Sequence, residues 1–351
     1  MKTEIFLDIY NNITKVLSDS KETLVRLSKD FLSFRTKEQN NIDFLITVKK
    51  SSPPYHLLES QRSITQSQVA ITYEIKGIRY NDYFGKALCI YDYEKNEGVI
   101  YSEDINLLHE ISYLLILSRV GKKMDLNGYH KVHAFGLNLN NTSIIGMMPM
   151  KGGKSTLFLD LLYSDKRFEI ISDDTPIIDS WGRVRSFPLR IGLESNAEIP
   201  VGDENLIYSL DRSQYGLKKL LPLNYFPNKI FQGCGKDIIL LNCKRSYGSH
   251  FSISKASKVS MIVPLVKNMV IGVGLPMVLE YFLESGPKDL LKRVGIILRR
   301  TMAALFLLMR ARTYHVYLGN DRKLNRLEMN AFFKKYCCKG ALPKNYILGH
   351  D

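Results

Sequence analysis

The sequence predicts an α/β chain: a mixed sheet with helices built around a phosphate-binding loop (P-loop), preceded by a smaller α+β N-terminal domain. Three observations carry this. The run Thr142-Ser-Ile-Ile-Gly-Met-Met-Pro-Met-Lys-Gly-Gly-Lys-Ser-Thr156 passes from a short apolar strand, through a glycine–lysine loop, into an apolar helix at 157–163. A second apolar strand, Phe168-Glu-Ile-Ile-Ser-Asp-Asp174, follows that helix at once and closes on two carboxylates. The order strand–helix–strand with parallel strands is the unit from which such sheets are wound. At 351 residues the chain exceeds the usual size of a single core, so two domains are expected. The boundary is placed after Asp125, giving domains 1–125 and 126–351.

The N-terminal stretch reads as follows. Polar amphipathic helix signals occupy 4–32. Ser51-Ser-Pro-Pro54 breaks the chain. Alternating strand-like runs follow at 68–75, 87–93 and 98–101. A helix is expected over 104–120, capped by Ser102, with Ile105, Leu108, Ile111 and Leu115 at helical spacing. Residues 121–128 then form the joint. In the second domain, strands are expected at 237–242, 259–266, 269–273 and 314–318. A helix over 288–312 is expected to bury Leu291, Val294, Leu298, Ala304, Leu305 and Leu308.

Gly152, Gly153, Lys154, Ser155 and Thr156 have the residue types that phosphate binding requires. Backbone N–H groups of such a loop, with the positive end of the following helix, face the phosphates. Lys154 reaches the β- and γ-phosphates and the Ser155 hydroxyl ligates Mg²⁺. The usual spacing, G-x-x-x-x-G-K-[ST], puts its first glycine where this chain has Met148. Asp173 and Asp174 lie at the carboxyl end of their strand, where ligands of such sheets bind. Successive strand residues point to opposite faces, so a bend is needed if both serve one site. One carboxylate then supports Mg²⁺, here given to Asp174, and Asp173 orients or deprotonates an acceptor hydroxyl; the two roles are exchangeable. The alternative for Asp-Asp-Thr-Pro is a solvated turn.

The order of these parts resembles HPr kinase/phosphorylase and its relatives, which share a P-loop fold with PEP carboxykinase. His130-Lys-Val-His-Ala-Phe-Gly136 is similar to that family's Val-His-Gly segment. Gly152–Thr156 is similar to its P-loop end, and Ile170-Ile-Ser-Asp-Asp174 to its strand closed by an Asp pair. Gly182-Arg-Val-Arg-Ser-Phe-Pro-Leu-Arg-Ile-Gly192 is similar to its strand and Phe-Pro turn. Weaker similarity runs through Lys218-Lys-Leu-Leu-Pro222 to 314–319. The resemblance implies phosphoryl transfer to a hydroxyl, with ATP and Mg²⁺ as cofactors and His133 near the Asp pair and the phosphates. His133 would place the acceptor or balance charge on the γ-phosphate; His130 is expected in solvent. Arg190 would approach the phosphates from a neighbouring loop or form a surface salt bridge, with Lys218 and Lys219 as further candidates. Met148 and Lys151 stand where the family usually has glycine.

Charge and composition set the remaining bounds. Residues 1–125 hold 17 Lys/Arg and 17 Asp/Glu, so the net charge of +14 comes entirely from 126 onward. Residues 286–351 hold 14 Lys/Arg against 4 Asp/Glu. Such a field attracts an anionic partner: a nucleoside triphosphate, an acidic peptide, a phosphorylated small molecule or, less favoured, nucleic acid. Five cysteines without a C-x-x-C pair support neither a disulfide framework nor a zinc site. The start of the chain lacks the apolar core of a signal peptide, and the longest apolar stretch carries Arg299 and Arg300. A cytoplasmic protein that does not enter membranes, and forms a homo-oligomer, is the expectation. Two functions fit: an ATP- and Mg²⁺-dependent kinase acting on a Ser/Thr or a small hydroxylated molecule, or a non-catalytic nucleotide-binding module whose basic surface holds nucleic acid or an anionic protein.

Overall fold

The computed structural model describes residues 3–149, 152–194, 197, 206–212, 216–235, 237–246, 248, 250–273, 275 and 287–337. Lys151, Lys339 and Lys344 lie outside these residues. The chain is mixed α/β with several sheets. It divides into two compact units, each drawn from three stretches: within 1–131, 188–227 and 271–301 for the first, and within 132–187, 228–270 and 302–351 for the second. The boundary expected after Asp125 lies at the end of a helix (105–126), and the first stretch of the first unit ends at Lys131.

The first unit opens with strands β1 (Thr3–Asp8) and β2 (Ile13–Ser18) and helix α1 (Lys21–Asp30). The expected helix over 4–32 is therefore two strands and a shorter helix. Ile13–Ser18 alternates between half-buried and buried positions, the period of a strand. Tyr10 and Asn11 both take positive φ (55° and 60°), the geometry of a tight hairpin turn. Strands β3 (Arg35–Thr36), β4 (Phe44–Lys50), β5 (Thr65–Gln66), β6 (Ile71–Ile75), β7 (Ile78–Asp82), β8 (Ala87–Asp92) and β9 (Glu97–Ser102) complete a nine-stranded sheet, ordered β3-β1-β2-β4-β9-β8-β7-β6-β5. Helix α2 (Ile105–Leu126) follows; its N-cap is Asp104, which accepts from Asn106 and Leu107, rather than Ser102.

The last residues of this stretch, β10 (Tyr129–Lys131), lie in a buried polar cluster. Arg300 donates twice to Asp125 (2.6 and 3.0 Å), and His130 Nδ1 lies 2.9 Å from the same carboxylate. His130 is thus buried rather than solvated. Lys131 is buried as well and donates to the Leu117 carbonyl (3.0 Å). Burial and the Arg300 charge, against the pull of Asp125, bring its ammonium down to about 7. In the unfolded chain Lys131 stays charged to about 10.5, so folding releases its proton between these values. Stability should therefore rise with pH from about 7 toward 10.5, by up to about 1.4 kcal/mol per pH unit. Lys131→Met should flatten that rise in urea unfolding curves; an unchanged slope would mean the ammonium stays charged.

The second unit begins with β11 (Phe135–Leu139) and β12 (Thr142–Met147), joined by Asn140 and Asn141, both at positive φ (49° and 63°). Helix α3 (Lys154–Ser164), β13 (Glu169–Ser172) and the hairpin β14 (Ile177–Asp179)–β15 (Val184–Arg185) follow. The chain then returns to the first unit for an antiparallel sheet of β16 (Ile191–Glu194), β17 (Tyr208–Arg212) and β18 (Gly216–Leu221), ordered β16-β18-β17. Strands β19 (Asp237–Arg245) and β20 (Ser252–Lys255), helices α4 (Ile262–Leu265) and α5 (Pro287–Arg310), β21 (Arg312–Leu318) and α6 (Arg322–Cys337) end the described chain.

Residues 259–270 are a 3₁₀ turn, α4 and a π-helical turn, not the strands expected at 259–266 and 269–273. Met261, Leu265 and Met269 recur every fourth residue in the core of the second unit, and this burial outweighs the strand preference of their Val and Ile neighbours. Helix α5 is where it was expected, but its buried stripe is Ile296, Arg300, Ala303, Ala304, Leu307 and Leu308. Leu291, Val294, Leu298 and Leu305, expected in the core, are exposed.

The second unit's sheet is ordered β13-β11-β12-β19-β21-β20. Strand β12 runs parallel to β19 and β19 to β21, while β11 is antiparallel to both β12 and β13. The carboxyl ends of β12, β13, β19 and β21 therefore share one end of the sheet, together with the entry to β11. Among the described residues no helix is long and apolar enough to cross a membrane.

Candidate functional site

Five chain segments reach that end of the sheet, and the residues that point to chemistry sit on four of them. The buried strand β12 leads through Met148 and Pro149 to Gly152, whose N–H donates back to the Pro149 carbonyl (3.0 Å). A side chain at Gly152 would come within 2.9 Å of that carbonyl oxygen. Gly153 takes φ +90°, a left-handed conformation that favours glycine, and starts α3 without a side-chain cap. The N–H groups of the first turn of α3, at Lys154, Ser155 and Thr156, have no acceptor within the helix, which is the usual setting for an anion. Met148, in place of the first glycine, is buried, and its side chain packs against Gly152. It fills the underside of the loop.

Strand β13 stops at Ser172, and Asp173 and Asp174 lie in a bend. The bend is fixed by Thr175 N–H donating to Ser172 Oγ (3.1 Å) and by Ala134 N–H donating to the Asp174 carbonyl (3.1 Å). It supplies the turn that two adjacent carboxylates need to face one site. The Ser155 hydroxyl donates to Asp173 Oδ2 (3.1 Å). Lys154 pairs with Asp174, and His133 Nε2 lies 3.4 Å from Asp174 Oδ1. Lys154 and His133 are largely buried, whereas the Asp174 side chain is half-exposed. Desolvation works against the Asp174 charge, but Lys154 and His133 outweigh it and hold the carboxyl well below the usual range.

His133 arrives here because β11 is antiparallel to its neighbours, so the residues leading into it lie at the carboxyl end of β12. Its N–H donates to the Asn268 carbonyl in the π-helical turn (2.9 Å). The structure thus brings together Lys154, Ser155, Asp173, Asp174 and His133 beside Gly152, Gly153 and Thr156.

Arg190 is placed elsewhere. It belongs to the first unit, where its guanidinium pairs with the fully buried Asp30 and lies 3.8 Å from the Tyr113 ring centroid. Its guanidinium is taken up by this buried pair rather than by a surface salt bridge. Lys218, also in the first unit, pairs with Glu194 (3.4 Å) on the neighbouring strand, and Lys219 is beside it on β18.

One residue of the site and one turn behind it gave no signal in the sequence reading. Arg245 closes β19, three residues past the expected end of that strand, and its Nε donates to the Gly152 carbonyl (2.9 Å). Its Nη2 end lies against Gly153, where the φ of +90° already favours glycine. The Asn140-Asn141 turn is the other: two adjacent asparagines mark a tight hairpin, and this one delivers His133.

The oxygen donors fit Mg²⁺. Ser155 Oγ and Asp173 Oδ2 are hard ligands in contact, and Mg²⁺ commonly takes one or two protein oxygens and completes its shell with phosphates and water. Among the described residues no group of three or more His, Cys, Asp or Glu is gathered as a cage of its own. No family model matches the sequence, and no curated protein matches it.

Proposed function

We propose that the chain is a P-loop kinase of the HPr-kinase-related kind, which transfers the γ-phosphoryl group of ATP to a hydroxyl acceptor with Mg²⁺. The observation that carries this is the convergence of Lys154, Ser155, Asp173, Asp174 and His133 at one end of one sheet. A solvated turn would give no reason for a largely buried lysine and histidine to meet the same carboxylate.

The contacts support a division of labour that exchanges the two aspartates. Ser155 touches Asp173, so this pair supplies the protein oxygens for Mg²⁺, which when bound neutralises charge on the phosphoryl oxygens. Asp174, beside His133, then faces the acceptor. As long as Lys154 holds it, Asp174 is too weak a base to take a proton. When phosphate oxygens draw Lys154 away, Asp174 loses the charge that depresses its pKa and gains basicity where the acceptor hydroxyl must be oriented. Arg245 donates to the Gly152 carbonyl, which would leave the N–H groups of the loop for the phosphates.

Asp174→Asn should retain nucleotide binding and lose rate, while Asp173→Asn should raise the Mg²⁺ concentration needed for half-maximal rate. Initial rates across a Mg²⁺ series decide this. Normal rate and metal dependence in both variants would leave the pair as no more than a turn. The acceptor class is tested by product analysis with γ-labelled ATP, offering Ser/Thr peptides and small polyols separately. Nucleotide binding without label transfer to any hydroxyl would favour the non-catalytic module. Lys334 and Lys335, exposed on α6, belong to the basic C-terminal segment where an anionic acceptor would be felt.

A further inference from the structure

The only tryptophan of the chain, Trp181, is 61% exposed at the tip of the β14–β15 hairpin. Its position is fixed by an unusual amount of local structure. The Asp179 carboxylate accepts from Trp181 N–H (3.0 Å), Arg183 N–H (2.9 Å) and Arg183 Nε (2.9 Å). Gly182 N–H donates to the Asp179 carbonyl (2.8 Å). Gly182 takes φ +73° and lies so close to α5 that a Cβ there would stand 2.3 Å from the Leu307 nitrogen. The hairpin tip is therefore seated on the helix, and the indole leans on Phe306, with ring centroids 6.3 Å apart.

From Phe306 the apolar surface continues along α5. Met302 (50% exposed), Leu305 (45%), Phe306 and Met309 (66%) stand at i, i+3, i+4 and i+7, one face of the helix. Arg310 follows Met309 on α5, and Arg183 and Arg185 follow Gly182 on the hairpin that is seated on it. Asp179 is shared between Arg183 and Arg185, and Arg310 has no ion pair among the described residues. A rigid tryptophan beside adaptable methionines, with arginine close in sequence, is the composition of a binding hot spot.

We propose that this surface docks an acidic amphipathic helix of a partner protein. The shape is an apolar face with a raised aromatic edge, which suits a helix laid along it. The charge selects an acidic one: the hairpin tip and the end of α5 carry Arg183, Arg185 and Arg310 against the one carboxylate of Asp179, on a chain of net charge +14. A second copy would bring like charges together.

Trp181 reports directly on the face it would occupy, since indole emission moves to shorter wavelength when water leaves the ring. The full chain is titrated with a synthetic amphipathic helix of about 18 residues, leucine at i, i+3, i+4 and i+7 and glutamate elsewhere. A scrambled peptide of equal composition and a version with lysine for glutamate serve as controls. The acidic helix should shift the emission and the two controls should not. The variant Leu305→Glu/Met309→Glu should lose about tenfold or more in affinity. Arg310→Glu should weaken binding several-fold, an effect that shrinks as salt rises. The proposal is overturned if the acidic helix leaves the emission unchanged. It is equally overturned if the same shift appears with rising protein concentration alone, which gives the face to a second copy, or only with anionic phosphatidylserine vesicles, which gives it to a lipid surface.

Discussion

Lys154→Ala is expected to lower phosphoryl transfer by about two to three orders of magnitude, the usual effect of removing a pre-placed charge from developing phosphate charge. The variant removes the cation that starts α3 and that Asp174 holds in place before nucleotide binds. Its unfolding midpoint should change little, because Asp174 is half-exposed and can be solvated once its partner is gone. Lys154→Arg should not restore the rate. The planar guanidinium is bulkier than an ammonium and would have to fit where Arg245 already crowds Gly153. Initial-rate measurements with saturating Mg²⁺ check both variants. Activity within a few-fold of the parent chain in Lys154→Ala would remove the phosphate-binding role.

The largest effect on stability is expected at a residue with no part in the site. Asp30, at the end of α1, is fully buried and meets three side chains. Arg190 and Tyr208 donate to it, and His109 Nε2 lies 2.6 Å from it. Burial holds His109 below its ordinary pKa against the attraction of Asp30, so the imidazole is neutral and Asp30 with Arg190 is the ion pair of the cluster. The cluster ties β16 and β17 to α1 and α2 within the first unit. Asp30→Ala leaves a buried guanidinium without its carboxylate and should cost about 3–5 kcal/mol. Urea unfolding followed by circular dichroism reads this directly. Adding Arg190→Met should recover part of the loss, since removing both charges is milder than stranding one. A cost under about 1 kcal/mol would mean that water reaches Arg190.

The sequence made the local parts of the site legible and left most of its assembly hidden. The strand, loop and helix from Thr142 to Thr156 follow from short-range pattern, and so does the apolar strand ending in Asp173 and Asp174. What could not be read is which strands pair. Strand β13 joins the sheet beside β11, with β11 between it and β12, and only this arrangement explains how His133 arrives next to Asp174. Arg190 and His130 were misplaced for a related reason: a charged residue in a sequence looks solvated, and only tertiary structure shows the carboxylates of Asp30 and Asp125 that make burial tolerable. On α5, Ala304 and Leu308 are buried as expected, but Leu291, Val294, Leu298 and Leu305 drew attention as apolar residues while the rest of the buried side is Ile296, Arg300, Ala303 and Leu307. Residues 4–32 show the opposite failure. The alternation of Ile13–Ser18 was visible, but charged residues spaced along the whole segment imitate an amphipathic helix.

Calorimetric titration of the full chain with ATP in the presence of Mg²⁺, alongside Lys154→Ala, tests the central claim most directly. The account predicts saturable binding at one site that depends on Mg²⁺ and weakens at least about tenfold in the variant, the loss expected when a charged phosphate contact is removed. Equal binding by both proteins, or no binding by the parent chain, would contradict it.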